Sequence, residues 1–156
     1  MDAIVEEILA RYDTITVVGA SADPAKAAHR VPALMQGHGW RIVPVNLRGG
    51  LIMGERAHRT LAAAAAAGQP AGLVGVFRPS AQAADVASQA VAIGATALWL
   101  QLGIVSDEAR AIAEGAGLLF VQNRCLSIER RRLGLDAPGP ERGAERGAGP
   151  AEGRSR

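Results

Sequence analysis

The chain has 156 residues, of which 49% are hydrophobic and only 3% aromatic, and its formal net charge is +2. That length suits one domain with a real core, filled here by Ala, Val, Leu and Ile, as in strands buried on both faces. Scattered basic residues and few aromatic rings argue against a nucleic-acid surface, which needs a cationic stripe and stacking platforms. A lone cysteine, Cys125, points to neither a disulfide scaffold nor a zinc cage.

The acidic stretch 1–7 lacks the basic start and apolar run of a signal peptide. The apolar runs at 15–20, 73–77 and 97–104 are too short to span a membrane as helices. The cytoplasm is the expected location, with no membrane partner.

Residues 2–11 place Ile4, Val5, Ile8 and Leu9 at helical spacing. A β-branched run ending in glycine, 15–20, predicts a buried parallel strand. A Ser/Asp/Pro/Lys loop at 21–27 leads to a helix over 28–37, with Pro32 expected in its first turn, where a missing N–H costs little. The next strand, 41–45, contains Pro44, so its N–H position must face no partner or the ladder must end there. A loop rich in Gly, Arg and His follows at 46–60, then an alanine-rich helix over 61–67. Strand 73–77, helix 80–93 and strand 97–100 come next. Ser106 is a natural N-cap for a helix over 107–115, with Asp107 and Glu108 at the positive end of its dipole. A last strand is expected at 118–121.

This alternation calls for an α/β fold, a Rossmann-like open parallel five-stranded sheet with helices on both faces. The domain is expected to end at 135. Residues 136–156, rich in Gly, Pro, Ala, Arg and Glu, bury too little to offset the entropy of ordering and read as a disordered tail.

In such a sheet, ligands bind at the carboxyl ends of the strands, near the point where strand order reverses. After the first strand, Gly19 permits close backbone approach, and Ser21 with the free amides entering the next helix can cradle a phosphate. Lys26 and Arg30 add positive charge. The segment is neither G-x-G-x-x-G nor a P-loop, and an ordinary strand-to-helix turn would carry the same residues. After the second strand, Asn46 and Arg48 stand where an NAD-binding domain carries an acid for the ribose hydroxyls. Arginine there favours a ligand with an extra phosphate near that ribose, either NADP or coenzyme A; a solvated loop arginine is the plain alternative. Phe77 and Pro79 can wall an adenine ring, and Arg78 can meet a pyrophosphate or stack on the base. Ser80 and Phe77 also read as a helix cap and a core residue. Gln101 and Gly103 lie after the fourth strand, and Asn123, Arg124 and Cys125 after the fifth. Cys125 reads as a semi-buried structural residue, because His29, His38 and His58 are distant in sequence and no base for it is evident. No metal-binding spacing is present, and the predicted edge lacks paired acids; Asp23 is the one carboxylate expected there, and it also reads as a turn residue.

Five segments in order carry a family resemblance: Val-Val-Gly-Ala-Ser-x-Asp-Pro-x-Lys at 17–26, Val-Pro-Val-Asn at 43–46, Val-Phe-Arg-Pro-Ser at 76–80, Leu-Trp-Leu-Gln-Leu-Gly at 98–103 and Asn-Arg-Cys-Leu-x-Ile-Glu at 123–129. Over about residues 5–133 the chain resembles the stand-alone CoA-binding domain proteins. These are small relatives of the nucleotide-binding domain in the succinyl-CoA synthetase α subunit. The resemblance implies coenzyme A or an acyl-CoA as ligand but not the ligase reaction. It matches Gly19, Ala20 and Ser21 to the phosphate turn, and Val45, Asn46 and Arg48 to the surroundings of the adenosine and its 3′-phosphate. It also matches Phe77, Arg78 and Pro79 to the adenine wall, and Gln101, Gly103 and Asn123 to the pantetheine side. Asn123 departs from the aspartate common in that motif, which keeps hydrogen bonding but loses a charge. The expected function is non-catalytic binding of a small-molecule nucleotide ligand, with room for a homo-oligomer or protein partner. An NADP-dependent oxidoreductase module and an interaction protein with a vestigial pocket are the alternatives.

Overall fold

The computed structural model describes residues 2–139. Its elements run α1 (Asp2–Arg11), β1 (Thr14–Val18), α2 (Ala27–Gly37), β2 (Arg41–Val45), β3 (Leu51–Ile52), β4 (Glu55–Arg56), α3 (Leu61–Ala66), β5 (Leu73–Val76), α4 (Ser80–Ala92), β6 (Ala97–Leu100), α5 (Asp107–Gly115), β7 (Leu119–Val121) and α6 (Leu126–Leu133). Five strands form one sheet in the order β2-β1-β5-β6-β7, every pair parallel. The chain winds outward from β1 to β2, then crosses back to β5 and winds the other way. The reversal opens a crevice between the carboxyl ends of β1 and β5.

Side-chain alternation divides the strands between two cores. Ile15, Val17, Ile42 and Trp99 pack with α1, α2 and α6 on one face. Val18, Val43, Val74, Val76 and Leu98 pack with α3, α4 and α5 on the other. Both faces are covered, which is why the strands read as continuous aliphatic runs.

Pro44 is accommodated because β2 lies at the end of the sheet. The Val45 carbonyl faces β1, where it meets the Gly19 amide, whereas the Pro44 carbonyl faces outward and accepts from the His58 amide at 3.0 Å. The missing N–H therefore points away from β1. Pro32, in contrast, is not in the first turn of α2. The helix starts at Ala27, and Pro32 lies inside it.

Two elements differ from the sequence reading. Within the expected loop 46–60, β3 and β4 form a small antiparallel hairpin, with Met53 (φ 52) and Gly54 (φ 77) in left-handed backbone at its tip. After β7, α6 is an additional helix. It is highly polar and buries only Leu126 and Glu129, so its apolar periodicity is faint. Gly134, left-handed at φ 67, closes it. The buried Glu129 carboxylate lies 2.7 Å from Arg132 and 3.4 Å from Arg124, and Arg124 reaches Asp2 at 3.0 Å, tying α6 to the start of α1.

Beyond α6, Ala137 donates its amide to the His38 carbonyl at 3.0 Å, and Asp136 lies 3.1 Å from the His38 ring. These residues, expected in the tail, therefore lie against the end of α2. The remainder of the expected tail, 140–156, lies outside the described residues. Among those described, no helix is long and apolar enough to cross a membrane and no acid, His or Cys cluster can hold a metal.

Leu98 is fully buried on β6, between β5 and β7. Leu98→Ala is expected to lower stability by about 3 kcal/mol, read from urea unfolding with the fluorescence of the buried Trp40 and Trp99 as the probe. A loss below about 1 kcal/mol would mean that this layer is not close-packed.

Candidate nucleotide-binding site

At the carboxyl end of β1 the chain turns through Gly19, Ala20 and Ser21. Gly19 has φ +89, and a Cβ built on it would sit 3.0 Å from Arg78 Cγ and 3.2 Å from the Phe77 carbonyl carbon. Glycine thus lets the end of β5 lie directly on the turn. The amides of Gly19 and Ala20 both donate to the Val45 carbonyl, at 3.0 and 3.3 Å, and the Ser21 amide donates to the Ala28 carbonyl at 3.2 Å. That carbonyl is available because its usual helical partner, four residues on, is Pro32. The His29 ring supports the same turn through Nδ1, 2.9 Å from the Ser21 carbonyl.

The amides at 19–21 are therefore spent inside the protein. Three other groups at this edge remain able to meet an anion. The Ser21 hydroxyl accepts from the Asp23 amide at 3.0 Å and retains its proton to donate. The first amides of α2 follow an N-cap, Lys26, that makes no side-chain cap. The Lys26 ammonium adds a full charge.

After β2, Asn46 is a clamp. Its Nδ2 donates to the Ala20 carbonyl and its Oδ1 accepts from the Arg48 amide, each at 2.7 Å. Asn46 thereby joins the first turn to the second and sets where Arg48 projects. Val45 is buried and contributes its carbonyl rather than its side chain.

Gly19, Ser21, Lys26, Asn46, Arg48 and Phe77 border a cleft of roughly 580 Å³, which Ala20 also lines. A shallower recess of roughly 300 Å³ continues from it over Arg78 and Pro79. The Asp23 carboxylate is at the cleft too, with Oδ1 engaged by the Ala25 amide at 3.0 Å.

Gln101, Gly103 and Asn123 line neither space. Gln101 is buried and its Oε1 accepts from the Leu126 amide at 3.2 Å, capping α6. Asn123, left-handed at φ 59, accepts from the Gly103 amide at 2.8 Å and so joins the β6–α5 loop to the β7–α6 loop. These polar groups serve those loop contacts. Cys125 is buried with Sγ 3.3 Å from the Ser127 hydroxyl. Burial raises its thiol pKa, but hydrogen bonds from the Ser127 hydroxyl, the Ile128 amide, Gln101 and the Ser127 amide outweigh it and leave the thiol below its ordinary value.

Sequence reasoning missed Arg59, which donates to the Leu47 carbonyl at 3.0 Å and so supports the loop carrying Arg48. It also missed the polar side of α4, where Gln82, Asp85 and Gln89 border a second recess. Nothing distinguished those residues from any solvated helix face, because only the packing of α3 beside α4 makes that face concave.

A family model described as CoA binding domain matches residues 13–131. The chain belongs to the CoA-binding domain family. It is 32% identical over 126 residues to the uncharacterized protein YneT of Bacillus subtilis, covering 81% of this chain and 91% of that one. A hypothetical protein from Pyrococcus horikoshii superposes with a TM-score of 0.79 at 31% identity, covering 85% of this chain and 92% of that one. A Thermus thermophilus protein gives 0.73 at 34% identity, with 84% and 94% covered.

Gly19→Ala is expected to destabilise the fold by about 1–3 kcal/mol through its left-handed backbone, and more where the new methyl displaces Arg78. Urea midpoints of the variant and parent measure it. An unchanged midpoint would show that the turn moves freely relative to β5.

Proposed function

We propose that this CoA-binding domain protein binds coenzyme A, or an acyl-CoA, across the crevice between β1 and β5 and acts as a non-catalytic module. The observation that carries the reading is the donor set. Lys26, Arg48 and Arg78 come from three separate strand ends, yet border two adjoining recesses that share Gly19 and Arg48. Cationic side chains, a serine hydroxyl and the start of a helix suit phosphates. Phe77 and Pro79 offer an apolar wall beside Arg78 for a base.

In this reading Ser21, Lys26 and the first amides of α2 receive the pyrophosphate, and Arg48 meets the 3′-phosphate. Gly19, Ala20, Val45 and Asn46 shape the floor, while Gln101, Gly103 and Asn123 hold the loops on the pantetheine side. Coenzyme A would bring its own thiol, and the chain's residues bind and orient it. An NADP-dependent module is disfavoured, because the three-glycine fingerprint is missing and Asn46 spends both ends of its amide within the protein.

Coenzyme A and acetyl-CoA are expected to raise the melting temperature of the full chain, whereas NAD leaves it unchanged. At about 100 times Kd the gain corresponds to roughly 2.7 kcal/mol. Stabilisation by NADP alone would favour the oxidoreductase alternative, and no response to any nucleotide would remove the ligand assignment. Arg48→Ala is expected to weaken coenzyme A about tenfold, as for loss of a charge-assisted contact, but dephospho-CoA hardly at all, by calorimetry. Equal losses for both ligands would take the 3′-phosphate away from Arg48.

A further inference from the structure

Beside Arg78, and sharing no lining residue with the phosphate cleft, lies a recess of roughly 300 Å³ between the start of α3 and the exposed side of α4. It shares Leu47 and Arg78 with the recess over Pro79, so the two adjoin at those side chains. Its floor is apolar: Val18, Val45, Leu61 and Val86 are each at most 4% exposed. Its wall is polar. Gln82, Asp85 and Gln89 are spaced three and four apart along α4 and form one stripe above Val86.

The stripe has a fixed hydrogen-bonding polarity. Gln89 Nε2 donates to Asp85 Oδ2 at 2.7 Å, which orients the carboxylate and leaves Oδ1 to accept. Arg78 Nη1 donates to Gln82 Oε1 at 3.3 Å, which turns the Gln82 NH₂ away from Arg78, free to donate. An apolar floor beside an acceptor and a donor suits a flat heterocycle whose edge carries an amino group next to a ring nitrogen. A 6-oxo edge would set a carbonyl oxygen against a carboxylate that can only accept.

We propose that this recess reads the edge of the ligand's base and selects a 6-aminopurine over a 6-oxopurine, with Asp85 accepting from the exocyclic amino group and Gln82 donating to the adjacent ring nitrogen. The inference rests on the nucleotide reading above and adds specificity to it. Neither residue belongs to the phosphate cleft or to the core, and both are exposed on α4, so their replacement leaves the fold intact.

The test is calorimetry on the full chain with adenosine 3′,5′-bisphosphate, inosine 3′,5′-bisphosphate and coenzyme A. The parent protein is expected to bind the adenosine ligand about tenfold more tightly than the inosine one, the size of a partly solvated bond to a charged acceptor. Asp85→Ala should abolish that preference and weaken coenzyme A by a similar factor, while Gln82→Ala gives a smaller loss of the same kind. Equal binding of the two bisphosphates by the parent, or an Asp85→Ala protein that keeps the preference, overturns the proposal. Unchanged coenzyme A binding by Asp85→Ala removes base reading but leaves the cofactor assignment standing. Failure of the parent to bind all three ligands removes both.

Discussion

The carbonyl of Val45 accepts the amides of both Gly19 and Ala20, and this shared contact organises the ligand-facing edge. Parallel pairing brings the ends of β1 and β2 level, and the shared acceptor bends the chain sharply just beyond β1. Asn46 then binds the Ala20 carbonyl from the other direction. Glycine at position 19 allows β5 to close down on the same bend. Together these three attachments hold the bend at 19–20 against the ends of β2 and β5.

A consequence concerns how charge is presented. Phosphate-binding turns commonly offer their own amides, but here the amides at 19–21 are occupied by protein carbonyls. In the proposed reading, recognition passes to the side chains of Ser21, Lys26, Arg48 and Arg78 and to the start of α2. Lys26 and Arg48 are exposed, so their attraction for an anion works within a Debye length of about 8 Å at physiological salt. Long flexible cations over a rigid floor tolerate variation in the bound group better than a backbone nest would. Pro32 takes part in this arrangement from inside α2, because the carbonyl it leaves unpaired anchors Ser21.

Much of this was legible in the residues. Aliphatic runs ending in glycine or a polar residue marked the five parallel strands, and the residues just beyond them include those that line the cleft, Gly19, Ser21, Lys26, Asn46, Arg48 and Phe77, and those of the adjoining recess, Arg78 and Pro79. The hairpin and α6 were not legible, for different reasons. β3 and β4 have two residues each, too few for alternation to register. The burial of α6 depends on Glu129, whose place inside is secured by Arg124 and Arg132 rather than by apolarity. Gln101 and Asn123 lie after strands, as site residues do, but strand-end position alone cannot separate a side chain facing a ligand from one that braces the next loop. Pro32 was read against a helix starting at 28, whereas the helix starts at Ala27 and takes the proline into its interior.

The placement of Pro44 bears on association between molecules. A strand at the margin of a sheet normally offers a row of donors and acceptors to any extended peptide. On β2 that row is broken by the proline nitrogen, and His58 occupies the next acceptor and donor beyond it, the Pro44 carbonyl and the Asn46 amide. The opposite margin, β7, is only three residues long. Growth of the sheet by recruiting a strand from a second molecule is thus obstructed at one border and short of register at the other, which guards an aliphatic interior against edge-to-edge polymerisation.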